Sequence, residues 1–446
     1  MYRESLLYKI RCATNPFHGV TFLEGGYIFC QRLKKGNIPA YGIPLVCGDT
    51  RRKLTVLSVL LLIFGLLVTL IGAALLTREL TGTDNPQLYL GIDVAYDDEE
   101  NVYKVAEAVK GYVNLIILGS LAVTTDMAKL TRVCDYLYQR DFYFIIYVGF
   151  ALGVSQPPYL PPQGPDSNFF LDGAERWSDK LLGAYLFDEA GGKYIDLTTA
   201  AELPYVKSYS EAAKNFVSHT NYFIENYSTY YGSPILRKFT SDYAVYWYDY
   251  LAGYDVVFSE FVGNQSRQMT VALCRGAAKS MGKDWGVMIT WKYAQPPFVE
   301  EPLQLLHDMI LAYKNGARYI NVFNSPANNS ATTEYGILTQ EHLSIIRAFW
   351  YYTKLCPFTE EFPAENAYLL PTDYGYGFRG PNDKIWGAFG PDALSAVIWN
   401  ATNSLIQTYG MQLDIVYENK TDNEPIMLPY KRLIYWNGTI VEKDGM

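Results

Sequence analysis

From residue 86 the chain alternates short apolar runs with amphipathic stretches, and the alternation repeats eight times. Strands are predicted at 88–94, 113–118, 142–150, 184–187, 238–241, 255–258, 286–290 and 319–323. Between and after them, helices are predicted at 100–112, 125–139, 176–180, 208–230, 246–251, 265–281, 301–315 and 340–354. Continuous apolar strands of this kind suit a parallel sheet covered on both faces. Eight strand–helix units within 86–356 predict an α/β fold, a (β/α)8 TIM barrel. Past Pro357 and Pro363 the spacing changes. Strands at 366–370, 413–417 and 432–435 around a helix at 394–409 predict a small C-terminal α/β module over 364–446.

One apolar stretch belongs to neither part. Residues 54–77 carry no charged side chain and are long enough to cross a hydrocarbon core of about 30 Å, so a transmembrane helix is predicted there. More than fifty residues precede it and it is longer than the apolar core of a cleaved leader, so it reads as a signal anchor. Arg51, Arg52 and Lys53 abut it on one side and Arg78 alone follows soon on the other. The short segment 1–53 is therefore expected in the cytoplasm, and the remainder outside a single-pass cell membrane protein. That segment has Gly25-Gly26, Pro39 and Pro44 and no recognisable chemistry.

Charge sharpens the expectation. Nine Lys/Arg against three Asp/Glu give residues 1–53 a charge of +6, and the −9 of the whole chain leaves −15 beyond them. An acidic extracellular part excludes nucleic acid as partner. Six glycosylation sequons, at Asn226, Asn264, Asn328, Asn400, Asn419 and Asn437, fit an exported glycoprotein. Cys12, Cys30 and Cys47 precede the apolar stretch, and Cys134, Cys274 and Cys356 lie far apart, so no disulfide framework or zinc site is spelled out.

The chemistry gathers where predicted strands end. Leu182 to Phe187 is an apolar run that stops at Asp188-Glu189, followed by Gly191-Gly192, read as a flexible turn. Adjacent carboxylates repel, so one can keep its proton near neutral pH while another is ionised. Strand one ends near Asp93, strand five at Ser241-Asp242 and strand six at Ser259-Glu260. Strands seven and eight bring Thr290-Trp291-Lys292 and Asn324. Barrel enzymes work at this end of their strands. The 39 Tyr, 22 Phe and 8 Trp supply amphipathic rings for a carbohydrate cleft. The Pro-rich connection with Pro157, Pro158, Pro161, Pro162 and Pro165 is long enough to serve such a site.

Tyr185-Leu-Phe-Asp188-Glu189 with its glycines resembles the Asp-Glu that closes strand four in many TIM-barrel glycoside hydrolases, a clan-A-like pattern in which the Glu is the general acid/base. A barrel followed by an α/β module, with Asp373-Tyr-Gly-Tyr-Gly-Phe-Arg379 and Asp383-Lys-Ile-Trp386 at the junction, is similar to multidomain members. The resemblance implies Glu189 as the acid protonating the glycosidic oxygen. In that family the nucleophilic Glu follows strand seven, where this chain has Thr290-Trp291-Lys292. Glu260 on strand six is the nearest substitute as nucleophile or base, with Asp242 in reserve. Asp188, Asp93, Trp291, Tyr293 and Asn324 would hold the sugar.

Retaining hydrolysis needs carboxyls about 5 Å apart and inverting hydrolysis about 6.5–9.5 Å. Strand ends two places apart are roughly 10 Å apart, less the inward lean of the side chains, so both outcomes stay open. The expected function is a membrane-anchored extracellular glycoside hydrolase acting on a glycan, without cofactor or metal. The alternative is a non-catalytic glycan-binding or cell-envelope structural protein on a degenerate barrel. His18 precedes the apolar stretch and His219, His307 and His342 fall on predicted helices, which leaves no Ser-His-Asp triad or histidine metal site. Gly375-Tyr-Gly-Phe-Arg-Gly380 matches a dinucleotide fingerprint, but Pro381-Asn-Asp follows in place of a helix, so it reads as a loop.

Overall fold

All eight predicted strand–helix units are present in the computed structural model, which describes residues 88–149, 164–196, 206–230, 237–327, 331–357, 364–418 and 430–442. The strands are β1 (Tyr89–Val94), β2 (Leu115–Leu118), β3 (Tyr143–Val148), β4 (Leu181–Leu186), β5 (Arg237–Asp242), β6 (Val256–Phe261), β7 (Asp284–Ile289) and β8 (Tyr319–Asn324). They pair in parallel in chain order, and β8 returns to β1, closing the barrel. The segment 1–53 and the predicted transmembrane helix 54–77 lie outside the described residues. Among the described residues no helix is long and apolar enough to cross a membrane.

Alternation along each strand divides the core in two. Tyr89, Ile117, Ile145, Tyr185, Phe239, Phe258, Met288 and Tyr319 fill the barrel interior, where Tyr89 stacks on Tyr319 with centroids 4.7 Å apart. Their neighbours Leu90, Ile92, Val94, Ile116 and Val257 face the surrounding helices. Strand β4 breaks the alternation, because its register with β3 shifts at Phe144/Ile145 and Leu182 and Tyr185 both face inward. Gly183 makes this bulge at φ 153°, and a Cβ there would lie 2.1 Å from the Arg237 carbonyl oxygen. A bulge re-aims the side chains beyond it, and Asp188-Glu189 lie just beyond this one.

The barrel's last helix, Gln340–Leu355, leads to a four-stranded sheet of β9 (Asn366–Leu370), β10 (Leu413–Tyr417), β11 (Arg432–Tyr435) and β12 (Ile440–Glu442), in the order β10-β9-β11-β12. Strand β12 is antiparallel to β11. Its three exposed residues carry no strand pattern of their own, and pairing across the Asn437-Gly438 turn makes them one.

Among the contacts that bind this sheet to the barrel, two are the most extensive. Arg275 on helix Arg267–Ser280 is wholly buried and donates to Asp414 Oδ1 (2.7 Å), Asn315 Oδ1 (2.8 Å) and the carbonyls of Met411 and Leu413 (2.8 and 3.1 Å). Tyr430 Oη donates to the other Asp414 oxygen at 2.9 Å. The helix rides so close on β10 that a Cβ at Gly276 would lie 2.7 Å from the Ile415 carbonyl oxygen. The second contact is the segment 373–389, which contains the predicted loop 375–380. Trp386, wholly buried, packs on Tyr194, Phe216 and Tyr248, and Arg379 pairs with Asp383 and with Asp196.

A third buried cluster holds the connection after β7. Arg267 donates to Asp308 Oδ2 (2.8 Å) and lies 3.5 Å from Glu300 Oε2. The Glu300 carbonyl accepts from His342 Nε2 at 2.8 Å. Burial pushes the Glu300 carboxyl up to about 7, with the Asp308 charge adding to the shift and Arg267 opposing it.

Both clusters can be tested by unfolding. Arg275→Ala leaves Asp414 charged and unpaired in the interior and should cost about 3–5 kcal/mol in denaturant unfolding. Arg275→Met combined with Asp414→Leu should recover most of that loss. Because the Glu300 pKa is raised from 4.5 to about 7, its contribution is fully present below pH 4.5 and lost as pH rises through 7. The melting temperature should fall over that window, and Glu300→Gln should flatten the slope.

Candidate functional site

The turn after β4 is held in an uncommon conformation. Phe187 and Glu189 are non-glycine residues at φ 57° and 58°, on either side of Asp188. Residues kept in this region cost of order 1–3 kcal/mol each and persist only where their surroundings impose them. Here they do: Tyr254 Oη donates to the Leu186 carbonyl (3.0 Å), Thr240 Oγ1 to the Phe187 carbonyl (2.6 Å), and Glu189 N–H to the Ser241 carbonyl (2.9 Å). The Phe187 ring packs on Phe223 and Tyr227.

Gly191 and Gly192 are not a flexible turn. They lie in the first turn of a helix, Ala190–Asp196. Their N–H groups donate to the two carboxylate oxygens of Asp242, at 2.5 and 2.8 Å, and the Tyr243 and Ala244 amides add donors at 2.7 and 3.1 Å. Glycine is required by close approach, since a Cβ on Gly191 would lie 2.3 Å from Val245 Cγ2 and one on Gly192 2.2 Å from the Tyr243 ring. Asp242 therefore serves as a wholly buried anchor for backbone amides. Burial pushes its carboxyl up, to about 7, and the backbone donors oppose that shift.

Glu189 and Glu260 come to one mouth. Glu260 is inside β6, pointing into the barrel next to Ser241, and only 3% exposed; the Glu189 side chain is 28% exposed at the rim and that of Asp188 40%. The Glu189 N–H donates to the Ser241 carbonyl and the Ser241 hydroxyl reaches Glu260, so the two glutamates flank one residue. Ser241 Oγ lies 2.6 Å from Glu260 Oε1 and 2.6 Å from Tyr185 Oη, and Tyr185 Oη lies 2.7 Å from Asp188 Oδ1. These three links need three protons, and the two hydroxyls supply two. With every link made, one carboxyl holds the third. Burial pushes Glu260 well above the ordinary carboxylate range, and the charges of Glu189 and Asp188 add to it. Glu189 is raised as well, by burial and then by Asp188, with Lys193 opposing.

Lys193 is the cation of the site. Its Nζ lies 3.2 Å from Asp188 Oδ2 and 3.1 Å from Glu189 Oε2, and donates to the Asp188 carbonyl at 2.9 Å. Asp93 also faces the interior at the end of β1, 2% exposed, and its Oδ1 has no hydrogen-bond partner. Burial raises its carboxyl strongly and the Asp188 charge adds to the shift. A Cβ at Gly119 would lie 2.3 Å from that oxygen, so glycine leaves room for it.

Asp93, Asp188, Glu189 and Glu260 are thus brought to one barrel mouth with Ser241 from the predicted end of strand five, and with Lys193, Tyr147 and Tyr185, to which the sequence assigned no role. Tyr147 sits at the top of β3 close to the same acids. Trp291 donates its Nε1 proton to the Ser325 carbonyl (2.7 Å) and packs on Phe298 and Phe323 at the edge of the mouth. Tyr293 stands 43% exposed beyond it. Asn324 points away from the interior and accepts from the Ile337 amide at 3.0 Å, fixing a loop. One signal could have revealed Lys193: it is four residues after Glu189, one helical turn, once 190–196 is read as a helix.

No family model matches the chain, and no curated protein sequence matches it. Among solved structures it is similar to a beta-galactosidase from the Antarctic haloarchaeon Halorubrum lacusprofundi, at 12% identity over 78% of this chain and 69% of that one, with a TM-score of 0.49. It is also similar to GH5_18 from Streptomyces cattleya, solved in complex with GlcNAc, at 10% identity over 80% of this chain and all of that one, TM-score 0.47. A xylanase from Cellvibrio japonicus follows at 10% identity over 59% and 98% of the two chains, TM-score 0.37. These neighbours are glycoside hydrolases. At such identities and scores nothing about activity passes from them to this chain.

Proposed function

We propose that this protein hydrolyses glycosidic bonds at the mouth of its barrel, with Glu189 as the general acid and Glu260 as its partner. The observation that carries the reading is the placement of Glu189 and Glu260 on either side of Ser241 at one barrel mouth. Glu189 holds the outward position from which a proton can reach a leaving oxygen. Its proton is retained by burial and by Asp188, while Lys193 stabilises the carboxylate left after transfer. Glu260, deeper in the barrel, attacks the anomeric carbon once its proton has moved along Ser241 and Tyr185 toward Asp188. Trp291 and Tyr293 are the rings at the edge of the mouth on which a sugar would rest.

The proposal includes anchoring by residues 54–77, with the barrel outside the cell. What supports it is their uncharged composition and the cluster Arg51-Arg52-Lys53, together with the exposure of the four described sequon asparagines, Asn226, Asn264, Asn400 and Asn437. A second reading, a glycan-binding or cell-envelope protein without turnover, is favoured by one observation, the 3% exposure of Glu260.

Hydrolysis of aryl glycosides and surface polysaccharides separates the two readings. Glu189→Gln should lower kcat/KM by about 10²–10⁴ on native substrates, and Glu260→Gln should abolish turnover. Activity equal to that of the unchanged protein in either variant would sink the catalytic assignment.

A further inference from the structure

The mouth holds more acid than its own cations answer. Asp93, Asp188, Glu189 and Glu260 converge there, and among the described residues the ion pairs to these four come from Lys193 alone. The surplus is not arranged for a metal, since among the described residues no group of three or more His, Cys, Asp or Glu side chains could hold one. A second observation points to a ligand: Asp93 Oδ1 is buried, faces the interior toward Asp188 and has no donor. Asn321, also inward-facing on β8 and wholly buried, leaves both amide atoms unpartnered.

We propose that this mouth takes a sugar bearing a free primary amine, so that the substrate class is a deacetylated, cationic amino-sugar polymer. This rests on reading the mouth as a carbohydrate site. An ammonium group brings three N–H donors and a positive charge to a set of acids that has one lysine among them and an Asp93 oxygen without a donor. A neutral sugar offers hydroxyl donors but no charge to offset the desolvation of ionised carboxyls. The −15 carried by the chain beyond residue 53 acts in the same direction at long range, steering a polycation toward the barrel.

The test is titration calorimetry of the full chain with three tetramers: fully deacetylated glucosamine, N-acetylglucosamine and cellotetraose. The deacetylated tetramer should bind about tenfold tighter than either of the others, roughly the worth of one well-placed charge-assisted contact. That margin should shrink as salt is added. Asp93→Asn should remove most of it, weakening the deacetylated tetramer far more than cellotetraose. If that variant does not fold, Asp188→Asn, altered at a position 40% exposed, carries the same prediction. Equal affinities, a preference for an uncharged tetramer, or no binding of any of the three overturns the proposal. Reducing ends counted in the same samples bear on the catalytic reading separately. Binding of the amine without cleavage overturns catalysis alone, and cleavage confined to cellotetraose overturns the cationic substrate alone.

Discussion

The candidate site depends on one carboxylate that holds four backbone amides. Asp242 gathers the amides of Gly191, Gly192, Tyr243 and Ala244 at the end of β5, and so fixes where helix Ala190–Asp196 begins. Glu189 immediately precedes that helix and Lys193 is one turn inside it. Fully buried amides cost several kcal/mol when left without acceptors, so the anchor and the two glycines constrain each other. Neither Gly191 nor Gly192 has room for a Cβ. The positive φ of Phe187 and Glu189 is the local cost of this arrangement.

The C-terminal sheet braces the same helix from the other side. Asp196, its last residue, accepts from Tyr243 Oη at 2.7 Å and pairs with Arg379, which is itself held by Asp383. Tyr194 packs on Trp386. The junction motif 373–389 therefore contributes to the site by position, through the backbone that presents Glu189. Arg275, far from the mouth, makes that brace rigid by locking β10 onto the barrel.

Most of the fold is legible in the chain. Periodic pattern alone places helix Gln340–Leu355 and helix Ala393–Tyr409 within a residue or two. Helix Ala190–Asp196 escapes it, because two glycines argue against a helix wherever local propensity is the only guide. Their amides are satisfied by Asp242, fifty residues on. The apolar pattern ends β6 near Phe258, and its extension to Phe261 moves Glu260 from a rim loop into the barrel wall. Asn324 ends β8 and so counts in the sequence among sugar-binding residues, but its parity sends it outward instead.

The sequence by itself determined the order, number and approximate length of the elements, and that acids would stand at several strand ends. Those properties come from hydrophobic periodicity and turn chemistry, which act between residues near one another in the chain. Only the closed barrel decided which acids meet at one mouth and which hold backbone amides. Glu189 and Glu260 are 71 positions apart in the chain and flank Ser241 because β4, β5 and β6 are neighbours in the barrel wall. Asp242 and Glu260 are the same kind of residue at similar strand ends. What separates their roles is the side-chain parity of each strand and the amides within reach, and both are properties of the assembled barrel.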